Sequence, residues 1–360
     1  IGAAILLGGA AMLLIAANRS DRLLEHANAA ADRWAAAYWR RPIPAQGPAP
    51  AAFHPFAKGT RAEDCGSCHP IQLHDWQASL HGVTMGPGVT AQLAAMSPQE
   101  RSDCVICHAP MSEQWAGLPQ SDGRWSRNSG YDAALAGQGL GCAACHLRGH
   151  VRTGPPLAAG REGVSQAYHG TPERTPFFEA AEFCKACHQH TSEFMAPNGK
   201  LVENVYQEWL ASPFAAQGVT CQQCHMPERR HAWKGIHDPE MTRAGVTLTA
   251  TVTPEGPRAG ESVLALLTLR NTGTGHAFPT YTTPAVRLEI AFLDAAGQPI
   301  ASEARAEHVL QRVLDMSTSP WSELRDTRLM PGQSAEVALE GVVPAGAATL
   351  RFQVRVEPDE

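Results

Sequence analysis

The sequence predicts a multi-domain protein with three parts: an N-terminal transmembrane helix, a mainly helical and loop-rich domain, and a C-terminal immunoglobulin-like β-sandwich. Three observations lead to this prediction. The chain opens on an apolar run, a cysteine motif recurs five times between residues 65 and 225, and alternating apolar residues without cysteine follow residue 241. With 360 residues, the chain is long enough for two ordinary domains with separate cores.

The composition excludes some classes of protein and partner. Asp and Glu outnumber Lys and Arg by 35 to 29, for a formal net charge of −6, and no basic run occurs, so nucleic-acid binding is not expected. An apolar content of 44% argues against wholesale disorder. The unusual numbers are 10 Cys and 16 His. Ten thiols fit disulfides, metal sites or covalent cofactors, and their spacing must decide.

The N-terminal segment is expected to anchor the protein in a membrane. Residues 1–17 are all apolar or small, which is at the short end for a helix that spans a bilayer. A secretory signal is the competing interpretation, and we favour a retained anchor over residues 1–18.

Residues 19–41 are predicted to continue as a stalk helix, because their apolar residues recur at helical spacing and Pro42 ends the pattern. Four of its large side chains could equally lie at a lipid surface or against a partner subunit: Trp34, Trp39, Arg40 and Arg41. The proline-rich stretch that follows predicts a linker over residues 42–59.

All ten cysteines belong to five copies of the motif Cys-x-x-Cys-His. The cysteine pairs are Cys65 and Cys68, Cys104 and Cys107, Cys142 and Cys145, Cys184 and Cys187, and Cys221 and Cys224. The histidines that follow them are His69, His108, His146, His188 and His225. The first cysteines lie 39, 38, 42 and 37 residues apart, which indicates one module used five times within a domain over residues 60–240.

This spacing is what covalent haem attachment requires. Two thiols on one turn add to the vinyl groups of haem, and the adjacent His becomes the proximal ligand of the iron. Zinc is the serious alternative, since paired Cys-x-x-Cys units also build zinc ribbons, but zinc does not need His after every second Cys. We therefore expect five covalently attached haem c groups, whose porphyrin faces supply apolar core in a chain with 6% aromatic residues.

The sixth ligands of the irons are expected among the remaining histidines. The candidates within the haem region are His81, His169, His231 and His237. His276 lies beyond the last motif, in a glycine-rich loop that could carry it towards a haem, although it could also be a turn residue bonded to its own backbone. His54, His74, His150 and His190 are reserves, and Met85 or Met111 could replace a histidine at one iron.

Residues 241–360 are predicted to form the β-sandwich domain. Apolar residues alternate with period two over residues 246–252, 263–269, 286–292 and 350–356, and turn signals separate these runs. Six or seven short strands in about 115 residues fit an immunoglobulin-like sandwich. No nucleophile or acid–base pair stands out there, so docking and the supply of His276 are its expected roles.

The chain resembles the multihaem c-type cytochromes related to the tetrahaem cytochrome c and the hydroxylamine oxidoreductase of ammonia oxidisers. The resemblance covers roughly residues 60–300. It rests on the first motif with Trp76-x-x-Ser79-x-His81, on Tyr206-Gln-Glu-Trp209-x-x-Ser212-Pro213 before the fifth motif, and on Gly275-His276-x-Phe278-Pro279-Thr280. It implies closely stacked haem pairs, mostly bis-His iron and electron transfer, and it favours His81, His237 and His276 as ligands. An N-terminal anchor is not general in that group.

These features predict a single-pass inner-membrane protein, periplasmic after the anchor because haem is attached outside the bacterial cytoplasm. We expect a pentahaem electron carrier, more an electron-transfer protein than an enzyme, that connects a membrane complex with soluble redox carriers. It is expected to be a subunit of a respiratory or photosynthetic membrane complex. The alternative is a reductase or oxidase of small nitrogen or sulfur compounds with one open haem site.

Overall fold

A computed structural model describes residues 29–94, 96–158, 168–190, 196–300, 304–318 and 321–359. The expected anchor over residues 1–18 and the first part of the expected stalk helix lie outside these ranges. Within them, none of the helices combines the length and the apolar character that crossing a bilayer requires. The chain forms two compact units. The first consists of the residues up to Ala186 together with Cys221–Trp233, and the second consists of Cys187–Thr220 together with the residues from Lys234 onward.

Short helices and loops make up the first unit, as the sequence predicts. Prolines begin several of the helices, where the missing N–H costs no hydrogen bond. The helices are α1 over residues 29–38, α2 (Pro55–Lys58), α3 (Ala62–Gly66), α4 (Pro70–Gln77), α5 (Pro87–Ala94), α6 (Pro98–His108), α7 (Ala133–Gln138), α8 (Cys142–His146), α9 (Glu182–His188) and α12 (Cys221–His225). Helix α9 continues two residues into the second unit.

Small sheets complete the first unit. Strands β1 (Gly117–Pro119) and β2 (Trp125–Arg127) form an antiparallel hairpin. Strand β4 (Val151–Gly154) pairs antiparallel with β3 (Leu147–Arg148) and parallel with β5 (Glu173–Arg174). Short 3₁₀ helices lie over Leu80–Val83, Ser112–Gln114, Pro176–Glu179 and Pro227–Arg229.

Helix α1 packs its aromatic residues inside the unit. Trp34 stacks on Tyr38 with ring centres 4.5 Å apart, and Trp39 lies 5.1 Å from the ring of Phe183. Of the placements left open for Trp34 and Trp39, the structure shows packing against aromatic side chains next to the fourth motif. An amphipathic pattern reports that a helix face is buried and does not identify what covers it.

The segment expected to be a linker is attached to the unit at its start. Ile43 is fully buried and forms a parallel bridge with Met111. Its N–H donates to the carbonyl of Pro110 at 2.7 Å, and its own carbonyl accepts from the N–H of Ser112 at 2.9 Å. These bonds place Met111 in the core beside Ile43.

The second unit contains a β-rich region after residue 241, which confirms that expectation from the alternating pattern. Helices α10 (Val205–Leu210), α11 (Pro213–Ala216) and α13 (Pro239–Ala244) precede eight strands in the described residues. The strands are β6 (Val246–Thr253), β7 (Ser262–Asn271), β8 (Ala285–Leu293), β9 (Arg305–Leu310), β10 (Arg312–Asp315), β11 (Ser322–Asp326), β12 (Ser334–Val342) and β13 (Thr349–Glu357).

These strands form two three-stranded antiparallel sheets, ordered β12-β7-β6 and β13-β8-β9, and the hairpin β10-β11. Both three-stranded sheets contribute to one apolar core, with Leu267 and Leu269 from β7 and Leu288 and Ile290 from β8 all buried. Along β7 every second residue is buried, as period two requires. The immunoglobulin-like assignment stays a prediction.

Candidate haem-binding site

Each of the five Cys-x-x-Cys-His motifs lies on or beside one short helical turn. Helices α6, α8, α9 and α12 contain the second, third, fourth and fifth motifs completely, and the first motif begins in α3 and ends at His69, just before α4. One turn therefore presents two thiols and one imidazole together. All ten cysteines are described, and each is a free thiol.

This donor set fits haem c. Thioether bonds need two free thiols on one turn, and the iron needs one imidazole next to them. Zinc would instead need about four side chains to converge on one point. Among the described residues, no group of three or more His, Cys, Asp or Glu side chains converges in that way.

Three of the proximal histidines have their Nδ1 atom held by an oxygen. His108 Nδ1 lies 2.7 Å from the carbonyl oxygen of Thr84, and His146 Nδ1 lies 2.8 Å from that of Thr153. His188 Nδ1 lies 2.9 Å from the hydroxyl of Tyr281. An N–H at Nδ1 that donates to oxygen leaves Nε2 as the ligand atom and fixes the orientation of the ring.

Burial keeps several of these rings in the neutral form that binds a metal. Burial lowers the pKa of His146 to about 4. Burial also lowers the pKa of His69, and nearby His169 lowers that pKa further. The pKa of His231 is lowered by burial as well. At neutral pH these imidazoles carry no proton on Nε2 and can bind iron without first losing one.

The motifs touch one another in pairs. Cys65 and Cys142, the first cysteines of motifs one and three, lie close enough for each thiol to shift the pKa of the other. Cys184 and Cys221, the first cysteines of motifs four and five, are neighbours as well, and Cys184 lowers the pKa of the Cys221 thiol.

Further bonds fix each pair. The indole N–H of Trp76, after the first motif, donates to the carbonyl of Leu140, before the third, at 2.9 Å. Gln222, inside the fifth motif, donates to the carbonyls of Phe178 and Ala180, before the fourth, at 2.9 and 2.8 Å.

His231 lies opposite His146. Their ring centres are 6.2 Å apart and their planes are inclined by 38°. His231 Nδ1 lies 3.0 Å from the carbonyl oxygen of Arg229, so Nε2 is again the ligand atom. At this separation, the two imidazoles would be able to hold the same iron.

His81 and His169 lie in the same part of the first unit. The ring of His81 packs edge-on against Trp233 at 4.5 Å, and Trp233 packs against His231 at 5.1 Å. His169 is close enough to His69 to lower its pKa. The structure thus brings His81, His169 and His231 together with the proximal residues of motifs one and three.

His276 is held in a rigid loop of the second unit. The buried amide of Asn271 donates to the carbonyls of His276 and Leu329, each at 2.9 Å. The N–H of Ala277 donates to the buried carboxylate of Glu208 at 3.0 Å, and His276 Nδ1 lies 3.0 Å from the carbonyl oxygen of Ala277. A Cβ on Gly275 would lie 3.1 Å from the ring of Trp209, so glycine permits the loop to approach α10.

His237 is placed differently from the other candidates. Its Nε2 atom lies 3.0 Å from both carboxylate oxygens of Asp359, and its side chain is 37% exposed. Nε2 is the atom that a ligand histidine would give to iron, so this contact competes with that role. His237 follows the fifth motif in sequence, and that position gives no indication that the carboxylate of Asp359 lies beside it.

Two contacts with motif or candidate residues involve side chains that sequence reasoning missed. Asp75, with 4% of its side chain exposed, accepts two hydrogen bonds from Arg230, at 2.7 and 2.6 Å, and one from the N–H of His231, at 3.0 Å. Tyr281 contacts His188. Nothing in the sequence distinguishes Asp75 or Tyr281, because their partners lie 155 and 93 residues away.

Comparisons with known proteins agree with this donor set. The family model described as cytochrome c554 and c-prime matches residues 64–147, which include the first three motifs. No curated protein matches the chain. A penta-heme cytochrome c552 from Thermochromatium tepidum has the same fold, with a TM-score of 0.61 and 18% identity over 85% of this chain and 93% of that one.

Two further solved structures align only poorly and carry no argument. One is the alkylpurine DNA glycosylase AlkC from Pseudomonas fluorescens bound to DNA, at 18% identity over 35% of this chain and 33% of that one, with a TM-score of 0.17. The other is the chitin-binding domain of Chi18aC from Streptomyces coelicolor, at 18% identity over 30% and 90%, with a TM-score of 0.16. Over residues 64–147 the chain is thus similar to the cytochrome c554 and c-prime family, and over most of its length it has the fold of a penta-heme cytochrome c552.

Proposed function

We propose that this chain is a membrane-anchored, periplasmic pentahaem cytochrome that relays electrons between a membrane complex and other redox carriers. The observation that carries the proposal is the pairing of attachment motifs: Trp76 after the first motif donates to Leu140 before the third, and Gln222 in the fifth donates to Phe178 and Ala180 before the fourth. Attachment sites in direct contact are what a chain of closely spaced electron carriers requires.

The count of five rests on five complete motifs. Each has two free thiols and a following histidine. When bound, the haems supply one-electron transfer between ferric and ferrous iron. The protein contributes the thiols, the axial imidazoles and the oxygens that orient those imidazoles.

Two axial pairs are proposed in the first unit, and ring geometry supports the first of them. The ring centres of His146 and His231 lie 6.2 Å apart. The Nδ1 atom of each ring lies within hydrogen-bond distance of a backbone carbonyl oxygen. His169 is the neighbour of His69, and we assign it to the same iron. His81 and His276 are proposed for two of the remaining irons.

Location and partners follow from the sequence. The apolar residues 1–17 would hold the protein at the inner membrane, and haem attachment requires that the rest of the chain be periplasmic. A net charge of −6 grows more negative with the propionates of bound haem, which favours basic soluble carriers at low ionic strength. We propose a respiratory or photosynthetic membrane complex as the other partner.

The test of this function is reduction of the purified holoprotein by a quinol-oxidising membrane fraction, followed by its oxidation with a basic soluble cytochrome. Electron transfer through the protein predicts fast reduction and oxidation of all haems, with an oxidation rate that falls as salt rises. Haems that the membrane fraction does not reduce and the soluble cytochrome does not oxidise would contradict the proposal.

A second candidate is reduction or oxidation of a small nitrogen or sulfur compound at one open iron. The contact of His237 with Asp359 favours it, because without His237 four sixth-ligand candidates from the expected set remain for five irons. Carbon monoxide binding to the reduced protein, with a high-spin ferric signal, is its expected signature. Entirely low-spin iron that does not bind carbon monoxide would exclude it.

A further inference from the structure

The fourth motif differs from the second and third in what its proximal histidine contacts. His108 and His146 each contact a backbone carbonyl that belongs to their own neighbourhood in sequence. His188 Nδ1 lies 2.9 Å from the side-chain hydroxyl of Tyr281, 93 residues further along the chain. Tyr281 lies in the loop between β7 and β8, the loop that also carries His276.

This loop holds Tyr281 in a defined place. Phe278 and Leu329 exchange two backbone hydrogen bonds, both of 2.9 Å. The guanidinium of Arg328 donates to the carbonyl of Thr280, the residue before Tyr281, at 2.5 Å. Arg328 is itself buried and paired with Asp326 at 2.9 Å.

The segment that follows His188 is attached to the same strands. Lys200 forms an ion pair with Asp326, the carboxylate that also holds Arg328. Buried Arg312 donates to the carbonyls of Lys200 and Leu201 at 2.8 and 2.7 Å. Asp326 therefore fixes both Tyr281 and the segment after His188, which makes their contact a feature of the folded unit.

We propose that Tyr281 is a positioning residue for His188: its oxygen accepts the Nδ1 proton, orients the ring, and tunes the reduction potential of the iron that His188 binds. The inference rests on the proposed function, since it requires haem at the fourth motif. A hydrogen bond from Nδ1 makes an imidazole a stronger electron donor and so stabilises ferric iron. The β-rich region thus contributes a hydrogen-bonding side chain to the proximal histidine of the fourth motif.

The test is the variant Tyr281→Phe in the full-length holoprotein, which removes the oxygen and keeps the ring. One iron is expected to become easier to reduce, by a threefold to tenfold change in its reduction equilibrium, or up to about 59 mV for one electron. The electron paramagnetic resonance signal of that iron should shift, while the other irons keep their potentials. Unchanged potentials at every iron would overturn the proposal.

Tyr131→Phe is the matched control, because Tyr131 is 43% exposed and lies outside the five motifs in sequence. It should leave every potential unchanged, and a shift equal to that of Tyr281→Phe would overturn the proposal. Arg328→Gln loosens the loop without touching His188, so a smaller shift in the same direction is expected. If Tyr281→Phe fails to fold, Arg328→Gln provides the test instead, and unchanged reduction potentials in Arg328→Gln would overturn the proposal.

Mass spectrometry of peptides distinguishes failure of this inference from failure of the proposed function. Haem on Cys184 and Cys187 in the wild-type protein, with unchanged potentials in both variants, would remove only the role of Tyr281. Absence of haem on that pair in the wild-type protein would contradict the pentahaem function and, with it, the inference.

Discussion

The imidazole rings of His146 and His231 lie 6.2 Å apart, centre to centre, although 85 residues separate them in sequence. The Nδ1 atom of each ring lies within hydrogen-bond distance of a backbone carbonyl oxygen, and burial lowers the pKa of both imidazoles. Two neutral imidazoles with their Nε2 atoms available at this separation are suited to bind one iron from opposite sides.

Replacement of His231 should therefore change one iron. His231→Ala is expected to convert one low-spin iron into a high-spin, five-coordinate one that binds carbon monoxide when reduced. The number of attached haems should not change, because thioether attachment depends on the cysteines. Electron paramagnetic resonance and the spectrum after carbon monoxide addition measure this.

His237→Ala is the matched control, since His237 contacts Asp359 through its Nε2 atom. It should leave all irons in their wild-type spin states. The assignment of His231 fails if His237→Ala produces the high-spin iron and His231→Ala does not.

Asp75 is expected to stabilise the position of His231. Asp75→Asn keeps the shape but weakens the bonds to Arg230 and to the N–H of His231, so unfolding should become easier by about 1–3 kcal/mol. The signal of the iron that His231 binds should also broaden. Denaturant unfolding and resonance spectra provide the two readouts.

Asp122→Asn is the control for Asp75→Asn, because Asp122 pairs with Arg124 on the surface, where an ion pair contributes little. Equal effects of the two substitutions would show that burial of Asp75 has no special role.

Arg312 should be essential for the stability of the second unit. Its side chain is 1% exposed, pairs with Glu323 at 2.7 Å and donates to backbone carbonyls. Arg312→Ala leaves these acceptors and the carboxylate without their partner, at a cost of about 3–5 kcal/mol in the free energy of unfolding. Arg355→Ala, at a side chain 60% exposed, should cost little, and a similar loss for both would contradict this role.

Asp326 predicts a specific dependence of stability on pH. Burial alone would raise the pKa of its carboxyl, but hydrogen bonds from Arg328 and Lys200 hold that pKa well below its usual range. A folded pKa below the unfolded value of about 3.9 gives stabilisation that is present above about pH 4 and declines below it. The stability difference between the wild-type protein and Asp326→Asn should therefore shrink as pH falls from 4 to 2. A difference that is constant over this range would contradict the role of Asp326.

The sequence predicted the parts of the protein whose chemistry is local. Five residues suffice to define a Cys-x-x-Cys-His motif, and period-two alternation identified β6, β7, β8 and β13. The alternation also assigned Leu248 of β6 to the inward face, but Leu248 is 49% exposed.

The sequence could not predict contacts that depend on tertiary structure. Asp75 and Arg230 are 155 residues apart, and His188 and Tyr281 are 93 apart, so no local pattern joins them. The same reason explains Trp34, whose helical spacing indicated a buried face while the aromatic rings that cover it lie more than 140 residues away. It also explains His237, whose partner Asp359 is 122 residues distant.

The central claim is that five covalently attached haems form an electron-transfer chain with paired histidine ligands. A potentiometric titration of the holoprotein, followed by electron paramagnetic resonance, tests it most directly because it counts the irons, their spin states and their potentials together. The account predicts five reversible one-electron irons, including a low-spin iron whose signal depends on His231. Fewer than five redox-active irons, or a low-spin set that is unchanged in His231→Ala, would contradict it.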